Sequence, residues 1–338
     1  MKQLKAGIIG LGVGEQHMAG YQSHPGCQVI ALCDLSEEKL KEARKKYPRI
    51  RLTDNPDDIL NDPEINVVSV ASYDNYHYPQ IIQAIKNNKH VFVEKPLCLY
   101  EEEARHIYSL LRSRVDLKLS SNLILRKCPR FIYLKKLIEN GKLGGIFYVE
   151  GDYNYGRLNK ITHGWRGKLD FYSVVYGGGI HIIDLLLWLT GQKIIEVTAY
   201  GNNISSSGFF KYNDMVVSIL RFENGIVGKL AVNMGCVSPH FHSLSVYGTK
   251  GTFVNGLECG LYFESRDADR QPEKIYEDYP GVHKGALIYD FIDGIINKST
   301  GAIPYQEVFD AMSVCFAIEK AAGEKNKVKV EYIQEVNK

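Results

Sequence analysis

Two hydrophobic rhythms share this chain. Over the first 122 residues, short apolar runs recur at 6–9 (AGII), 28–33 (QVIALC), 67–71 (VVSVA), 90–93 (HVFV) and 117–120 (LKLS). They lack polar alternation, as strands buried on both faces do. Between them, 15–23, 36–47, 77–88 and 100–114 read as helices. Ser36 before EEKLKEARKKY supplies an N-cap, with acids in the first turn and bases in the last. This alternation predicts a doubly wound parallel sheet with right-handed crossovers.

Past about residue 145 the segments lengthen and alternate: 146–155, 194–203, 215–234 and 242–256. Asn224-Gly225 breaks the third segment and GTKG (248–251) the fourth, both hairpin signals. The pattern predicts a mostly antiparallel sheet. One helix interrupts it at 179–190, closed by Gly191, and two more follow near 284–297 and 304–322. A helix at 129–140 bridges a joint within 120–145. The expected domains are therefore 1–122 and 123–338.

Composition adds exclusions. A length of 338 residues suits about two domains, and 45% hydrophobic residues supply a core. Lys and Arg are scattered and the net charge is +2, which argues against a nucleic-acid partner. No apolar run reaches membrane-spanning length, and MKQLKAGIIG leads almost directly into a strand without a signal segment. Seven cysteines without a CxxC pair argue for free thiols in a reducing compartment, so a cytoplasmic protein is expected. The 22 tyrosines and 31 glycines fit a turn-rich sheet with a polar, aromatic cleft.

Three constellations carry chemistry. In AGIIGLGVGEQH (6–17), a strand delivers Gly10, Gly12, Val13 and Gly14 into a helix start. Small residues there let backbone N–H groups approach a pyrophosphate. Asp34, 20 residues past Gly14, is placed to accept from the ribose hydroxyls and to repel a 2′-phosphate, which favours NAD over NADP. Strict G-x-G-x-x-G spacing needs glycine at 15, where Glu15 stands; either the loop is one residue short or the third glycine has moved to 14.

Glu94-Lys95-Pro96 follows the fifth strand, on the edge where ligands of such sheets bind. Beside a cationic nicotinamide, or partly desolvated, a lysine becomes a usable proton carrier. A surface pair before a turn is an equal alternative. In GGGIHIIDLLLWLTG (177–191), His181 and Asp184 share a helix face. They suit an acid/base group with its orienter, or a structural histidine with a paired acid. The stretch 151–167 gathers Tyr153, Tyr155, Arg157, His163, Trp165 and Arg166. Of these Tyr153, Arg157 and His163, with His181, are the candidate substrate contacts, because arginine holds anions bidentately and rings stack on sugars. His240 and His242 lack a third ligand, so no metal is expected.

These motifs, in this order with N-x-x-x-R-x-x-P at Asn122, Arg126 and Pro129 and with Trp165-Arg166, resemble the glucose–fructose oxidoreductase/inositol dehydrogenase (Gfo/Idh/MocA) family. The resemblance implies an α/β fold: an N-terminal Rossmann domain and a C-terminal α/β domain with a large, mostly antiparallel open sheet. That sheet commonly forms homodimers or homotetramers. It implies nicotinamide-dependent oxidation or reduction of a sugar, cyclitol or sugar-nucleotide hydroxyl. Lys95 matches the catalytic lysine, often followed by a cis peptide; His181 matches the acid/base histidine, with Asp184 its neighbour. Ser72, Asn75 and His77 in SYDNYHYP, Glu94 through Pro96, Asn122, Trp165 and Arg166 fall on the cofactor side. One departure stands out: inositol dehydrogenase-like members carry aspartate four residues before the histidine, where this chain has Gly177. That counts against a free cyclitol and leaves Tyr172 or Tyr176 to take part. An NAD-dependent glycosidase with transient hydride transfer and a non-catalytic NAD sensor are the competing readings.

Overall fold

A computed structural model describes residues 3–301 and 303–334 of the chain. In the first half, strands and helices alternate as β1 (Leu4–Ile9), α1 (His17–Ser23), β2 (Cys27–Cys33), α2 (Glu37–Lys46), β3 (Arg51–Thr53) and α3 (Asp57–Leu60). The run continues with β4 (Val67–Val70), α4 (Asp74–Lys86), β5 (His90–Val93), α5 (Glu101–Arg112) and β6 (Leu119–Ser121). The strands form one parallel sheet in the order β3-β2-β1-β4-β5-β6. The order reverses between β1 and β4, the switch point at which such sheets open a crevice. All four residues of β4 are buried, as its unalternated VVSV requires. Ser36 caps α2, accepting from the Lys39 N–H. β3 and α3 were not expected; a three-residue strand carries no period to read.

Contacts divide the chain into two units, and they do not follow a single cut. The first takes the residues up to Ile124, His283–Phe309 and those from Ile333; the second takes Leu125–Val282 and Asp310–Tyr332. The expected boundary at 122/123 therefore moves slightly, and a later stretch returns to the first unit. Two glycines explain the return. A Cβ on Gly20 would fall 2.3 Å from the Gly285 carbonyl oxygen, and one on Gly285 would fall 2.8 Å from the Gly20 nitrogen. Backbone crosses backbone there, which side chains at either position would prevent. The crossing seats the helix Ala286–Ile296 on α1.

The second unit contains α6 (Pro129–Glu139), β7 (Ile146–Asn154), α7 (Asn159–Thr162), α8 (Ile180–Thr190), β8 (Ile194–Asn202) and β9 (Met215–Phe222). Next come β10 (Val227–Asn233), β11 (Phe241–Gly248), β12 (Thr252–Asn255), β13 (Gly260–Phe263), β14 (Glu273–Ile275) and β15 (Val328–Lys329). They form one sheet in the order β14-β13-β12-β11-β7-β10-β9-β8-β15, antiparallel except for β7 against β10. Gly225, at φ +92°, turns the β9–β10 hairpin, and the Gly248 N–H donates to Gly251 across GTKG. α8 packs on β7 where Gly151 removes a side chain: a Cβ there would meet Ile182 at 2.4 Å. Gly191, at φ +64°, ends α8 in the left-handed conformation. One sheet face leaves Tyr200, Val217, Ile219 and Val227 exposed, while Val216, Ser218 and Leu220 alternate inward.

Candidate active site

In the first unit the glycines of the β1–α1 turn have separate tasks. Gly10 has φ +91°, and a Cβ on it would lie 2.3 Å from the Ala71 carbonyl oxygen. Gly14 lies against Ala71 and Ile8, each 3.0 Å from its Cβ position, which is the close helix–strand packing asked of a third glycine. Gly12 meets only the Lys39 ammonium, at 3.7 Å, so its backbone is open to a ligand. Glu15, at the position that strict spacing gives to glycine, pairs with Lys46 at 2.7 Å.

Asp34 closes this turn. Its Oδ2 accepts from the Leu11 N–H at 2.6 Å and pairs with Lys39 at 3.2 Å; its Oδ1 accepts from the Ser36 N–H at 2.9 Å. The carboxylate is thus fixed at the end of β2, where a ribose would meet it. Leu35 beside it is exposed, as is Asn75 in the first turn of α4. Among these neighbours, Leu35 and Lys39 were missed by sequence reasoning. An exposed apolar residue straight after the strand-end acid is the available signal for Leu35.

The Lys95–Pro96 peptide is cis. Beneath Lys95 runs a buried polar chain. Tyr21 Oη lies 2.9 Å from Ser69 Oγ, which lies 3.2 Å from His17 Nδ1; His17 Nε2 lies 3.1 Å from Glu94 Oε1. Asn122 Nδ2 donates to the same Glu94 oxygen at 2.6 Å and to the Lys284 carbonyl at 3.0 Å. Burial pushes the Glu94 carboxyl up, but the His17 hydrogen bond and charge, with Lys284 and Lys95, outweigh it and hold the group at about 2. His77, fully buried, links the neighbouring loops: Nδ1 lies 2.7 Å from the Pro96 oxygen and Nε2 3.2 Å from that of Ser72. Ser72 Oγ donates to Gln80. The side chains of Glu94, His77 and Asn122, expected against a cofactor, therefore turn inward and brace the loops that carry Lys95 and Ser72. Glycine turn, fixed acid and open Gly12 together fit a dinucleotide.

The second unit holds His181 and its surroundings. Asp184, expected to orient His181, receives a bidentate grip from Arg126: Nε donates to Oδ2 at 2.9 Å and Nη2 to Oδ1 at 2.5 Å, all buried. The Tyr153 ring lies nearly parallel to His181 at 6.3 Å, with His240 and His242 edge-on at 5.1 and 5.3 Å. His242 Nδ1 sits 2.6 Å from the Tyr279 hydroxyl. Burial pushes the Tyr153 hydroxyl up. Arg166 stacks on Trp165 at 4.4 Å and Arg157 on Tyr155 at 5.2 Å. His163 is exposed and lies 2.8 Å from the Thr162 hydroxyl. The structure thus gathers Tyr153 with His181, and leaves Arg157 and His163 on the exposed loop.

Comparisons with known proteins match both halves. The oxidoreductase-family model GFO_IDH_MocA, with an NAD-binding Rossmann fold, matches residues 4–121, and the GFO/IDH/MocA C-terminal domain matches 131–254. A myo-inositol 2-dehydrogenase of Thermotoga maritima is 25% identical over 344 residues, covering 98% of this chain and 99% of that protein. An uncharacterized oxidoreductase of Schizosaccharomyces pombe is 31% identical over 267 residues, covering 75% and 71%. In fold, the chain is similar to a levoglucosan dehydrogenase solved with NADH and levoglucosan, at TM-score 0.85 and 22% identity, over 97% of this chain and all of that one. Among the described residues no helix is long and apolar enough to cross a membrane.

Proposed function

The chain belongs to the Gfo/Idh/MocA family of oxidoreductases, and from that membership we propose that it moves a hydride between NAD(H) and a secondary hydroxyl or ketone of a sugar or sugar nucleotide. The observation that carries this reading is the order of groups along the carboxyl edge of the first sheet. Asp34 follows β2, the glycine turn follows β1, Ser72 follows β4 and Lys95 follows β5. A dinucleotide crossing the β1/β4 switch would set its ribose at Asp34, its pyrophosphate at the glycine turn and its nicotinamide towards Lys95.

NAD, when bound, supplies the acceptor or donor of the hydride. Lys95 and His181 handle the accompanying proton, taking it from the substrate hydroxyl in oxidation and returning it in reduction. Asp184, fixed by Arg126, is a positioning residue on the same helix face as His181. Ser72, Asn75, Trp165 and Arg166 are the proposed further cofactor contacts, and Tyr153, Arg157 and His163 the proposed substrate contacts. The exposed Arg157 guanidinium suits a phosphate or carboxylate, which supports a sugar nucleotide. One relative is a myo-inositol 2-dehydrogenase and one structural neighbour a levoglucosan dehydrogenase, which supports the substrate class. The exposed Tyr200, Val217, Ile219 and Val227 support a homodimer or homotetramer formed through the second unit's sheet.

The test is absorbance at the NADH band while NAD and the purified protein meet a panel of sugars, cyclitols and UDP-sugars. A net rise with one panel member is expected. Bound NAD(H) with no net change for any member would replace this reading with the transient-hydride glycosidase or the sensor.

A further inference from the structure

We propose that the Tyr172 hydroxyl is a positioning group for the His181 imidazole, seated in the notch that Gly177 leaves one helical turn earlier. This deepens the reading above and rests on it for the role of His181.

The helical run into α8 begins as a π turn, Val175–Gly179, that contains three successive glycines. Each has a different reason to lack a side chain. A Cβ on Gly178 would fall 2.4 Å from Tyr153 Cε1, and one on Gly179 would fall 2.7 Å from Val232 Cγ2. Those two contacts are carbon against carbon, and packing explains them. A Cβ on Gly177 would fall 2.0 Å from the Tyr172 hydroxyl oxygen and 2.8 Å from its Cζ. Here the notch is filled by a polar atom at the end of a side chain that is only 1% exposed. Phenylalanine would fill most of the same space. Burying a hydroxyl costs about 1–3 kcal/mol unless it is hydrogen-bonded, so an oxygen kept there has a polar task.

Gly177 and His181 are four residues apart and lie on one face of the helical run. The hydroxyl therefore sits beside the turn that precedes the imidazole. Its backbone is held still. Ser173 Oγ accepts from the N–H groups of Val175 and Tyr176 at 3.1 and 3.4 Å and donates to Glu319 at 2.6 Å. Tyr176 points elsewhere, against the rings of Phe171 and Phe316. The other ionisable groups of this neighbourhood are Tyr153 on β7, His240 and His242 against it, Arg157 and Arg166 from the loop, Asp184 with Arg126, and Glu319. Tyr172 is among the groups that act on Tyr153, which stacks on His181. A neutral phenol can donate to an imidazole nitrogen or accept from an imidazolium N–H without adding a fixed charge. Whichever of these hydrogen bonds is the stronger favours the matching protonation state of His181.

The experiment follows His181 directly and needs no substrate. The intact protein is labelled with 15N-histidine, the His181 signal is assigned by its loss in His181→Asn, and its pH titration is compared with that of Tyr172→Phe. We expect the His181 midpoint to move by about half a pH unit or more. Gly177→Ala, whose methyl must displace the hydroxyl, should move His181 in the same direction and serves if Tyr172→Phe folds poorly. Where a panel member is turned over, Tyr172→Phe should lower kcat about ten-fold and shift the pH profile, with the KM for NAD held within about two-fold. An unchanged His181 titration in both variants overturns the proposal even if the panel shows turnover. A moved titration with no turnover on any panel member supports the coupling and fails the function instead.

Discussion

Gly10 and Gly12 stand two residues apart, and the same substitution should affect them differently. At Gly10 a methyl group meets the Ala71 carbonyl at 2.3 Å with φ at +91°, so Gly10→Ala strains the turn itself. We expect a loss of about 2 kcal/mol or more in denaturant unfolding. At Gly12 nothing but the Lys39 side chain is near, so Gly12→Ala should keep stability within about 0.5 kcal/mol. Yet it should weaken NAD binding about ten-fold in a titration, because its methyl occupies the ligand's approach. Equal stability losses in the two variants would contradict this division. The glycine pattern and Asp34 were legible in the sequence because they are local. Gly14 as the packing glycine was open, since only the Ala71 and Ile8 neighbours decide it.

The Lys95 loop is held by elements, not by its own residues. Through Tyr21, Ser69, His17, Glu94 and Asn122, one buried chain ties α1, β4, and the ends of β5 and β6 together. The Glu94 carboxyl is held low, so its stabilisation is complete above an unfolded carboxyl's value of about 4.3. It is lost as pH falls towards about 2. Glu94→Gln should therefore cost about 2 kcal/mol at neutral pH. Its thermal midpoint should also fall less steeply than the wild type's between about pH 4.3 and 2 in calorimetry, the window between the two values. Parallel midpoint curves would contradict the brace. None of this was legible. Glu94 reads as a strand-end acid, and nothing in HMAGYQS marks His17 as its partner across the sheet. Helices with strong caps, such as α2 after Ser36, were legible; β3, β13 and β14, with three or four residues each, were not.

At the scale of the whole chain, the change from unalternated to alternating segments separated a parallel from a largely antiparallel sheet. The return of 283–309 to the first unit was hidden, because it rests on Gly20 meeting Gly285 far along the chain. The open face of the second sheet bears on assembly. Ile219, 52% exposed amid Val217, Tyr200 and Val227, is the residue to charge. Ile219→Asp should convert a dimer or tetramer to monomer in light scattering while thermal stability of the unit persists. A wild-type monomer would contradict the assembly.

Lys95 is proposed to carry the proton of an NAD-dependent hydride transfer. The measurement that tests it most directly compares Lys95→Ala with wild type for NADH binding and for turnover of the active panel member. We expect unchanged NADH affinity with kcat lowered about a hundred-fold or more. A variant that lost cofactor affinity yet kept full kcat at saturation would contradict it and make Lys95 a binding residue.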